Sequence, residues 1–321
     1  MSRAILITGA TGKQGGAVVN ALVAAKADFQ ILALTRDTQS PSAQRLAQKS
    51  PKIKLVTGNL DLPDEIFSNA KEATSAPVWG VFSVQIAIGG KAKLTEEEQG
   101  KALIDAALAN NVEHFVYSSV DRGDSQVSNT NPTNIPHFIS KHNIEQHLFK
   151  TTRERQHQAG QQQQQQQNNK HTLMRYTVLR PVAFLDNLIP GFFGKVFSTS
   201  YQIALREKPL QLIAASDIGV VGAQAFLRPD EFSGKSISLA GDELTFQQFR
   251  EIFEERTGQT LPTTYGFVAR MIMWMSKEFG SMFQWFYDEG FGADIEECRK
   301  INPGMKDFAT WLDKESQFET R

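Results

Sequence analysis

The 321-residue sequence lacks several features that would assign it to a class of protein at once. It has one cysteine, Cys298, which excludes a disulfide framework and a cysteine-rich metal site. Its 34 basic and 35 acidic side chains leave a net charge of −1, without the basic excess of proteins that coat nucleic acid. No apolar run approaches the roughly 20 residues of a membrane-spanning helix. We therefore expect a cytoplasmic protein with no metal, no membrane anchor and no direct contact with nucleic acid.

Hydrophobic residues make up 40% of the chain and include 22 Phe, which is enough for a large core. In the first half, short apolar runs alternate with segments of helical periodicity. The predicted strands are 4–8, 29–34, 53–56, 78–84, 114–118 and 175–179, and the predicted helices between them are 17–25, 103–109 and 136–150. This alternation predicts an α/β fold with a doubly wound parallel sheet of the Rossmann type.

The sequence pattern divides the chain into two parts. Residues 1–180 form the predicted Rossmann domain, and residues 181–321 form a smaller C-terminal lobe, partly interleaved with the sheet, for a substrate or partner. Residues 151–171 contain seven consecutive glutamines and no apolar periodicity, so they are interpreted as a disordered insertion. In the smaller lobe, an aromatic stripe is predicted to form the core, with a substrate pocket or a partner groove as the alternative. Its members are Trp274, Phe279, Phe283, Trp285 and Phe286.

A glycine-rich turn follows the first predicted strand and precedes the first predicted helix. Its glycines, Gly9, Gly12 and Gly15, have the spacing G-x-x-G-x-x-G. The first permits a tight turn, the second lets the backbone approach a pyrophosphate, and the third lets helix and strand pack closely. The helix N-terminus then offers unpaired N–H groups to the phosphates. The turn therefore predicts a dinucleotide site.

The end of the second predicted strand distinguishes NAD from NADP. A carboxylate there would bind the ribose 2′-OH and repel a 2′-phosphate. The sequence instead has Arg36, whose guanidinium pairs with phosphate, and Lys13 in the glycine turn adds a second cation. Asp37 follows, but its side chain is expected to point elsewhere. These residues favour NADP(H) as the cofactor.

These motifs together resemble the NmrA-like family, an atypical branch of the short-chain dehydrogenase/reductase superfamily. The segments that carry the resemblance are 7–19, 34–37, 58–64, 115–120, 137–145 and 179–187. The resemblance covers about residues 1–300, apart from the glutamine-rich insertion. Because the family includes both reductases and non-catalytic redox-sensing regulators, the resemblance does not define a substrate.

The resemblance also implies positions for the cofactor and the substrate. It implies that Asn187 faces the substrate and that Lys141 reaches the ribose hydroxyls of the nicotinamide half. The other implied cofactor contacts are Gly9, Thr11, Gly12, Lys13, Gln14, Gly15, Arg36, Asn59, Leu60, Phe82, Ser83, Gln85, Pro181 and Phe184. Most of them lie at or just beyond the carboxyl ends of strands, where doubly wound sheets bind ligands.

The superfamily's Tyr-x-x-x-Lys pair is only half present, because His137 stands four residues before Lys141 where the tyrosine would be. Both side chains would share one helical face. Histidine transfers protons near neutral pH, but imidazole is shorter than phenol. The candidate proton-transfer residues are therefore Lys141, Ser118, Ser119 and His137. Further along this helix, His142, Glu145 and His147 lack metal-site spacing and are interpreted as a solvated face.

Two classes of function follow. The first is an NADP(H)-dependent oxidoreductase that acts on a small organic substrate, which the retained lysine and the strand-end serines favour. The second is a non-catalytic redox sensor that reports NADP(H) to a protein partner, such as a transcription factor, which the missing tyrosine favours. A transcription regulator of this kind would also work in the nucleus. The sequence gives only a slight preference for the enzyme.

Overall fold

The computed structural model describes residues 3–86, 92–164 and 173–321. The strands are β1 (Arg3–Ile7), β2 (Phe29–Thr35), β3 (Ile53–Thr57), β4 (Val78–Ser83), β5 (His114–Ser118), β6 (Arg175–Pro181), β7 (Ala183–Phe184), β8 (Leu210–Ile213), β9 (Lys235–Leu239) and β10 (Asp242–Leu244). The helices of the first half are α1 (Lys13–Ala24), α2 (Pro41–Ala47), α3 (Pro63–Ala73), α4 (Glu96–Ala109), α5 (Val127–Thr130) and α6 (Pro136–Gln164). The later helices are α7 (Phe192–Leu205), α8 (Ala215–Leu227), α9 (Pro229–Phe232), α10 (Phe246–Thr257), α11 (Gly266–Met275), α12 (Lys277–Asp288), α13 (Ile295–Ile301) and α14 (Phe308–Lys314).

Seven strands form one sheet in the order β3-β2-β1-β4-β5-β6-β9. The first six pair in parallel along this order. The strand order reverses between β1 and β4, and in doubly wound sheets ligands bind outside the carboxyl ends of the strands at such a point. The predicted doubly wound fold is therefore confirmed, and it places the glycine turn after β1 at the reversal.

The structure divides into two compact units, and each has its own core. Unit 1 consists of residues 1–119, 140–179 and 218–237, and unit 2 of residues 120–139, 180–217 and 238–321. Residues 120–139, which the prediction placed in the first domain, belong to unit 2. Residues 218–237, which it placed in the C-terminal lobe, belong to unit 1. Apart from the last two residues of β6 and of β9, the large sheet lies in unit 1.

The core of unit 1 explains why the central strands are continuous apolar runs. In β1, residues 4–7 are fully buried, because helices cover both faces of a doubly wound sheet. The unit 1 core cluster includes Leu6, Leu32, Val81 and Phe115 from four neighbouring strands. Burial of such side chains is worth roughly 1.5–3 kcal/mol each, which makes this cluster the main source of the unit's stability.

Two helices begin earlier in the sequence than the apolar pattern predicted, and one of them begins at a capping residue. Thr95 accepts from the backbone N–H of Glu98, whose carboxylate accepts from the N–H of Thr95, so α4 begins at Glu96 and not at 103. The predicted start of α1 at 17 was also late, because α1 begins directly after the glycine turn. In addition, the structure has α2 and α3, which the apolar periodicity did not indicate.

Helix α6 corrects the predicted end of the corresponding segment. It runs to Gln164, whereas the pattern predicted an end near Lys150. The first part of the predicted insertion, 151–164, is therefore helical, and residues 165–172 lie outside the described residues. Polar side chains with good helix propensity, among them glutamine, extend a helix without an apolar face.

Unit 2 combines a small sheet with helices. Its strands have the order β10-β8-β7, with β10 and β8 antiparallel. Three members of the predicted aromatic stripe, Phe283, Trp285 and Phe286, are buried in the core of this unit. Trp274 does not belong to that core, because 82% of the residue is exposed. The prediction for the stripe is thus wrong at this one position.

Within the described ranges, no helix is both long and apolar enough to cross a membrane. The same part of the chain contains no group of three or more His, Cys, Asp and Glu side chains arranged to hold a metal ion.

His114 in β5 is a fully buried histidine whose charge state makes the stability of unit 1 depend on pH. Its Nε2 lies 2.9 Å from Thr177 Oγ1, and its ring packs against Trp79 and Phe226. Burial lowers the pKa of His114 from 6.5 to about 4, because the apolar site disfavours the charged imidazolium. The folded protein therefore holds this imidazole neutral at pH values where the unfolded chain protonates it.

The contribution of His114 to stability is present above pH 6.5 and is lost as the pH falls toward 4, because only the unfolded chain gains the proton in that window. We expect wild type to lose about 2 kcal/mol more unfolding free energy than His114→Gln between pH 7 and pH 5. Urea unfolding at the two pH values measures this difference. Parallel pH dependence of the two proteins would refute the assignment.

Candidate functional site

The glycine turn after β1 has a backbone that side chains would obstruct. Gly9 has φ +57°, a left-handed conformation that favours glycine. The N–H of Gly12 donates to the carbonyl oxygen of Gly9 over 2.8 Å. A Cβ on Gly15 would stand 2.4 Å from the carbonyl oxygens of Thr8 and Gly9. The turn thus brings the start of α1 against the end of β1, as predicted for a phosphate-binding turn.

The N-terminus of α1 is suited to an anion. No side chain caps this end, and the first turn contains no acidic residue. The turn residues Thr11, Gly12 and Lys13 are exposed. The first N–H groups of a helix lack partners within the helix and carry its positive dipole end. The residues present therefore fit the pyrophosphate of a dinucleotide.

The two charged residues after β2, Arg36 and Asp37, differ in the contacts that they make. Asp37 Oδ1 accepts from the backbone N–H of Gln39 over 2.8 Å, so this carboxylate serves its own loop. Arg36 is exposed, and it forms no ion pair with any residue that the structure describes. The carboxyl end of β2, where the ribose 2′ position of a dinucleotide would lie, thus has a guanidinium without an ion-pair partner among the described residues.

The remaining predicted cofactor residues of unit 1 differ in how accessible they are. Asn59 is exposed and bonds with Asp61, whereas Leu60 packs against the core. Phe82 is fully buried beneath α8, where a Cβ on Gly222 would touch its ring at 3.3 Å. Its side chain is therefore part of the core, and its implied contact with the cofactor stays a prediction.

Ser83 and Gln85 form a buried polar pair after β4. Gln85 Nε2 donates to Ser83 Oγ over 2.8 Å. Gln85 Oε1 is buried without a hydrogen-bond partner in the described part of the chain. An unpaired buried amide oxygen carries a desolvation penalty, so it is suited to accept a hydrogen bond from a bound molecule or a water.

Lys141 is 9% exposed and forms a buried ion pair. Its Nζ donates to Glu96 Oε1 over 2.7 Å, and Glu96 is itself buried at the first position of α4. The second carboxylate oxygen, Glu96 Oε2, has no partner among the described residues. Lys141 is therefore not an ordinary exposed lysine.

The start of α4, which carries Glu96, is held by Asp61. The backbone N–H groups of Lys93 and Leu94 donate to the Asp61 carboxylate, and Gln99 Nε2 donates to it over 2.7 Å. The hydrogen bond from Lys93, followed by that from Gln99, lowers the pKa of Asp61 to about 2. This carboxylate is therefore ionised near neutral pH, and it holds the segment just before α4 and the Gln99 side chain within that helix.

The two serines at the end of β5 are both buried and both bonded to side chains. Ser118 Oγ donates to Gln14 Oε1 over 2.5 Å, which ties β5 to the glycine turn. Ser119 Oγ donates to Glu145 Oε1 in α6. Either serine would have to exchange this partner to contact a substrate oxygen. Glu145 is fully buried, so the interpretation of the α6 charges as a solvated face is wrong at this residue.

The remaining predicted site residues belong to unit 2. His137 Nδ1 lies 2.7 Å from Glu278 Oε1, and the backbone N–H of His137 donates to the same carboxylate oxygen. Pro181 is buried, Phe184 is half-buried at the end of β7, and Asn187 is exposed. Their implied roles at the nicotinamide and the substrate stay predictions.

Sequence reasoning missed the acidic partners of the candidate residues. Glu96, Glu145 and Glu278 bind Lys141, Ser119 and His137, and each lies at least 26 residues away from its partner in the sequence. Only Glu96 carried a local signal, because it directly follows Thr95, the N-cap of α4.

A doubly wound sheet with a glycine turn and an uncapped helix at its reversal defines a Rossmann-type dinucleotide-binding fold. The sequence model of the NmrA-like family matches residues 1–159 and 162–312. The chain belongs to the NmrA-like family. Its relatives include an NmrA-like oxidoreductase, hkm9 of Aspergillus hancockii, which is 30% identical over 272 residues and aligns with 80% of this chain and 73% of the relative.

Solved structures confirm the fold at low sequence identity. Triphenylmethane reductase of Citrobacter sp., solved with NADP(H), superposes with a TM-score of 0.68 at 16% identity, over 97% of this chain and 98% of the reductase. The negative transcriptional regulator NmrA, solved with NADP, superposes with a TM-score of 0.64 at 16% identity, over 98% of this chain and 95% of NmrA. A reductase and a regulator thus share this fold, and both were solved with the same cofactor.

Proposed function

We propose that this chain is an NADP(H)-dependent oxidoreductase that acts on a small, partly apolar organic substrate. The cofactor part of the proposal is carried by the glycine turn, where an uncapped helix without an acidic first turn follows a close backbone approach. The enzyme part is carried by the buried Lys141–Glu96 pair. The identity of hkm9 as an oxidoreductase supports the same class of activity. When bound, the reduced cofactor supplies the hydride.

The preference for NADP(H) over NAD(H) rests on the charges that follow β2. The Asp37 carboxylate bonds within its own loop, so it is not placed to accept from a ribose 2′-OH. The Arg36 guanidinium forms no ion pair with the described residues and matches the geometry of a 2′-phosphate. Arg36 therefore distinguishes the two cofactors.

Arg36→Ala is expected to weaken NADPH binding roughly 10- to 100-fold, because a charge-assisted hydrogen bond to phosphate is lost. Binding of NADH is expected to stay unchanged. Isothermal calorimetry with both nucleotides measures the split. Arg45→Ala, which removes an exposed arginine from α2, is the matched control and should bind both nucleotides as wild type does. Equal NADPH affinity of Arg36→Ala and wild type would contradict the assignment.

Proton transfer is assigned to Lys141. Its ammonium is a donor held in one place by Glu96 and shielded from bulk water, as a group that donates a proton to a substrate oxygen requires. The same ammonium is suited to bind the ribose hydroxyls of the cofactor. Ser118 is a second candidate donor, a hydroxyl at the end of β5, and its bond to Gln14 ties it to the glycine turn. A panel of carbonyl compounds and enones, with consumption of NADPH as the readout, tests for turnover.

A second candidate function is supported by His137. It stands where the superfamily has its proton-donating tyrosine, and Glu278 binds its Nδ1 at 2.7 Å. A chain without that donor fits a non-catalytic sensor of NADP(H) that binds a regulatory protein partner. Calorimetry with NADP⁺, NADPH, NAD⁺ and NADH separates the functions only together with the turnover panel, because the proposed enzyme also prefers NADPH to NADH. A sensor distinguishes oxidised from reduced forms, or NAD from NADP, and consumes no NADPH with any member of the panel.

A further inference from the structure

Unit 2 has a surface cavity of about 470 Å³ whose lining includes none of the residues assigned above to the cofactor or to proton transfer. Helices α11 and α12 supply most of its lining. We call it the tryptophan groove and define it by six lining residues, Trp274, Lys277, Gln284, Trp285, Asp288 and Glu289.

Trp285 provides a donor without an acceptor. The residue is 3% exposed, and its Nε1 is buried without a hydrogen-bond partner among the described residues. Its ring is fixed by edge contacts with Phe138 and Phe291, at centroid distances of 5.4 and 5.3 Å. A buried indole N–H usually has a partner, and leaving it unpaired is unfavourable. Because Trp285 belongs to the lining, a ligand oxygen bound in the groove against its Nε1 would remove that penalty.

Trp274 provides an exposed apolar surface beside this donor. It is 82% exposed, although Ala269 in the same helix, α11, is fully buried. Met273 also lines the cavity. A large indole left in water at the edge of a cavity marks a binding surface, because stacking a planar molecule on it removes apolar area from water.

The charges of the groove select against ions. Asp288 accepts from Gln284 Nε2 over 2.8 Å, and Glu289 accepts from Asn131 Nδ2 over 3.2 Å. Lys277 forms no ion pair with any described residue. One cation and two carboxylates repel an anion on balance, and a simple cation offers no acceptor to the Trp285 N–H.

We propose that the tryptophan groove binds an uncharged planar aromatic molecule whose carbonyl oxygen accepts the hydrogen bond of Trp285 Nε1. Its ring stacks on Trp274, and Lys277 stands on the lining as a second donor. This site goes beyond the proposed oxidoreductase activity and requires neither NADP(H) nor turnover. Its test therefore stays informative if the chain proves to have no enzyme activity.

The chain has four tryptophans, two in the groove and two outside it, Trp79 and Trp311. Fluorine NMR of the full chain labelled with 5-fluorotryptophan therefore detects binding in the groove through the resonances of Trp274 and Trp285. Titration with 1-indanone is expected to shift the Trp274 and Trp285 resonances saturably and to leave those of Trp79 and Trp311 in place. Indane, which lacks the carbonyl, and benzoate, which is an anion, should bind more weakly. Shifts of all four resonances, or of none, would overturn the proposal.

Trp285→Phe removes the N–H and keeps an aromatic ring. It is expected to weaken 1-indanone binding roughly 3- to 10-fold and to leave indane binding unchanged, because only the ketone accepts a hydrogen bond. Trp274→Ala should weaken both compounds about equally, because it removes the stacking surface. Trp311→Phe makes the same exchange elsewhere in the core of unit 2 and should bind as wild type. Undiminished ketone affinity of Trp285→Phe would overturn the proposal.

Discussion

Gly15→Ala is expected to weaken dinucleotide binding strongly and to destabilise unit 1. The added methyl group would stand 2.4 Å from the carbonyl oxygens of Thr8 and Gly9, and both contacts are to backbone. The start of α1 must therefore move away from β1, which displaces the N–H groups that receive the pyrophosphate. We expect NADPH affinity to fall roughly 100-fold, equivalent to about 2.7 kcal/mol. The unfolding free energy is expected to fall by about 3 kcal/mol.

Calorimetry with NADPH and urea unfolding measure the two effects of this change. Gly16→Ala is the matched control. The atom nearest to its added Cβ would be the carbonyl oxygen of Ala10, at 3.2 Å, compared with 2.4 Å for the contacts at Gly15. This variant should keep most of its stability and affinity. If Gly15→Ala bound NADPH as well as Gly16→Ala does, the glycine turn would not be the pyrophosphate site.

The parts of the fold that sequence reasoning predicted correctly are those with a local physical cause. Strand β5 matches its prediction at both ends, because a buried parallel strand is a continuous apolar run bounded by polar residues. The glycine turn was predicted as well, since a left-handed φ and close backbone approach leave a direct trace in residue type. Most of the doubly wound sheet follows from such segments.

The missed features depend on contacts between residues far apart in the sequence. Nothing near Lys141 indicates that Glu96, 45 residues earlier, neutralises it. Similarly, the sequence around Glu145 is typical of a solvated helix face, and only the structure shows that this carboxylate is buried and bonded to Ser119. The length of α6 was underestimated because the prediction relied on an apolar face, and a glutamine-rich helix end has none.

Lys141→Met is expected to reduce both stability and turnover, for separate reasons. It leaves the Glu96 carboxylate buried without its cation, and breaking a buried ion pair by removing one partner costs about 3–5 kcal/mol. The same change removes the proposed proton donor, for which the expected loss of turnover is at least about 100-fold. Urea unfolding and NADPH consumption with a substrate from the carbonyl panel measure the two losses.

The double variant Lys141→Met/Glu96→Gln separates the structural role of the ion pair from the chemical role of the lysine. Without the Glu96 charge, no uncompensated ion is buried, so most of the lost stability should return. Turnover should stay as low as in Lys141→Met, because glutamine does not replace an ammonium that donates a proton. If the double variant regained turnover together with stability, Lys141 would serve only as the partner of Glu96, and proton transfer would have to be assigned to Ser118 or to water.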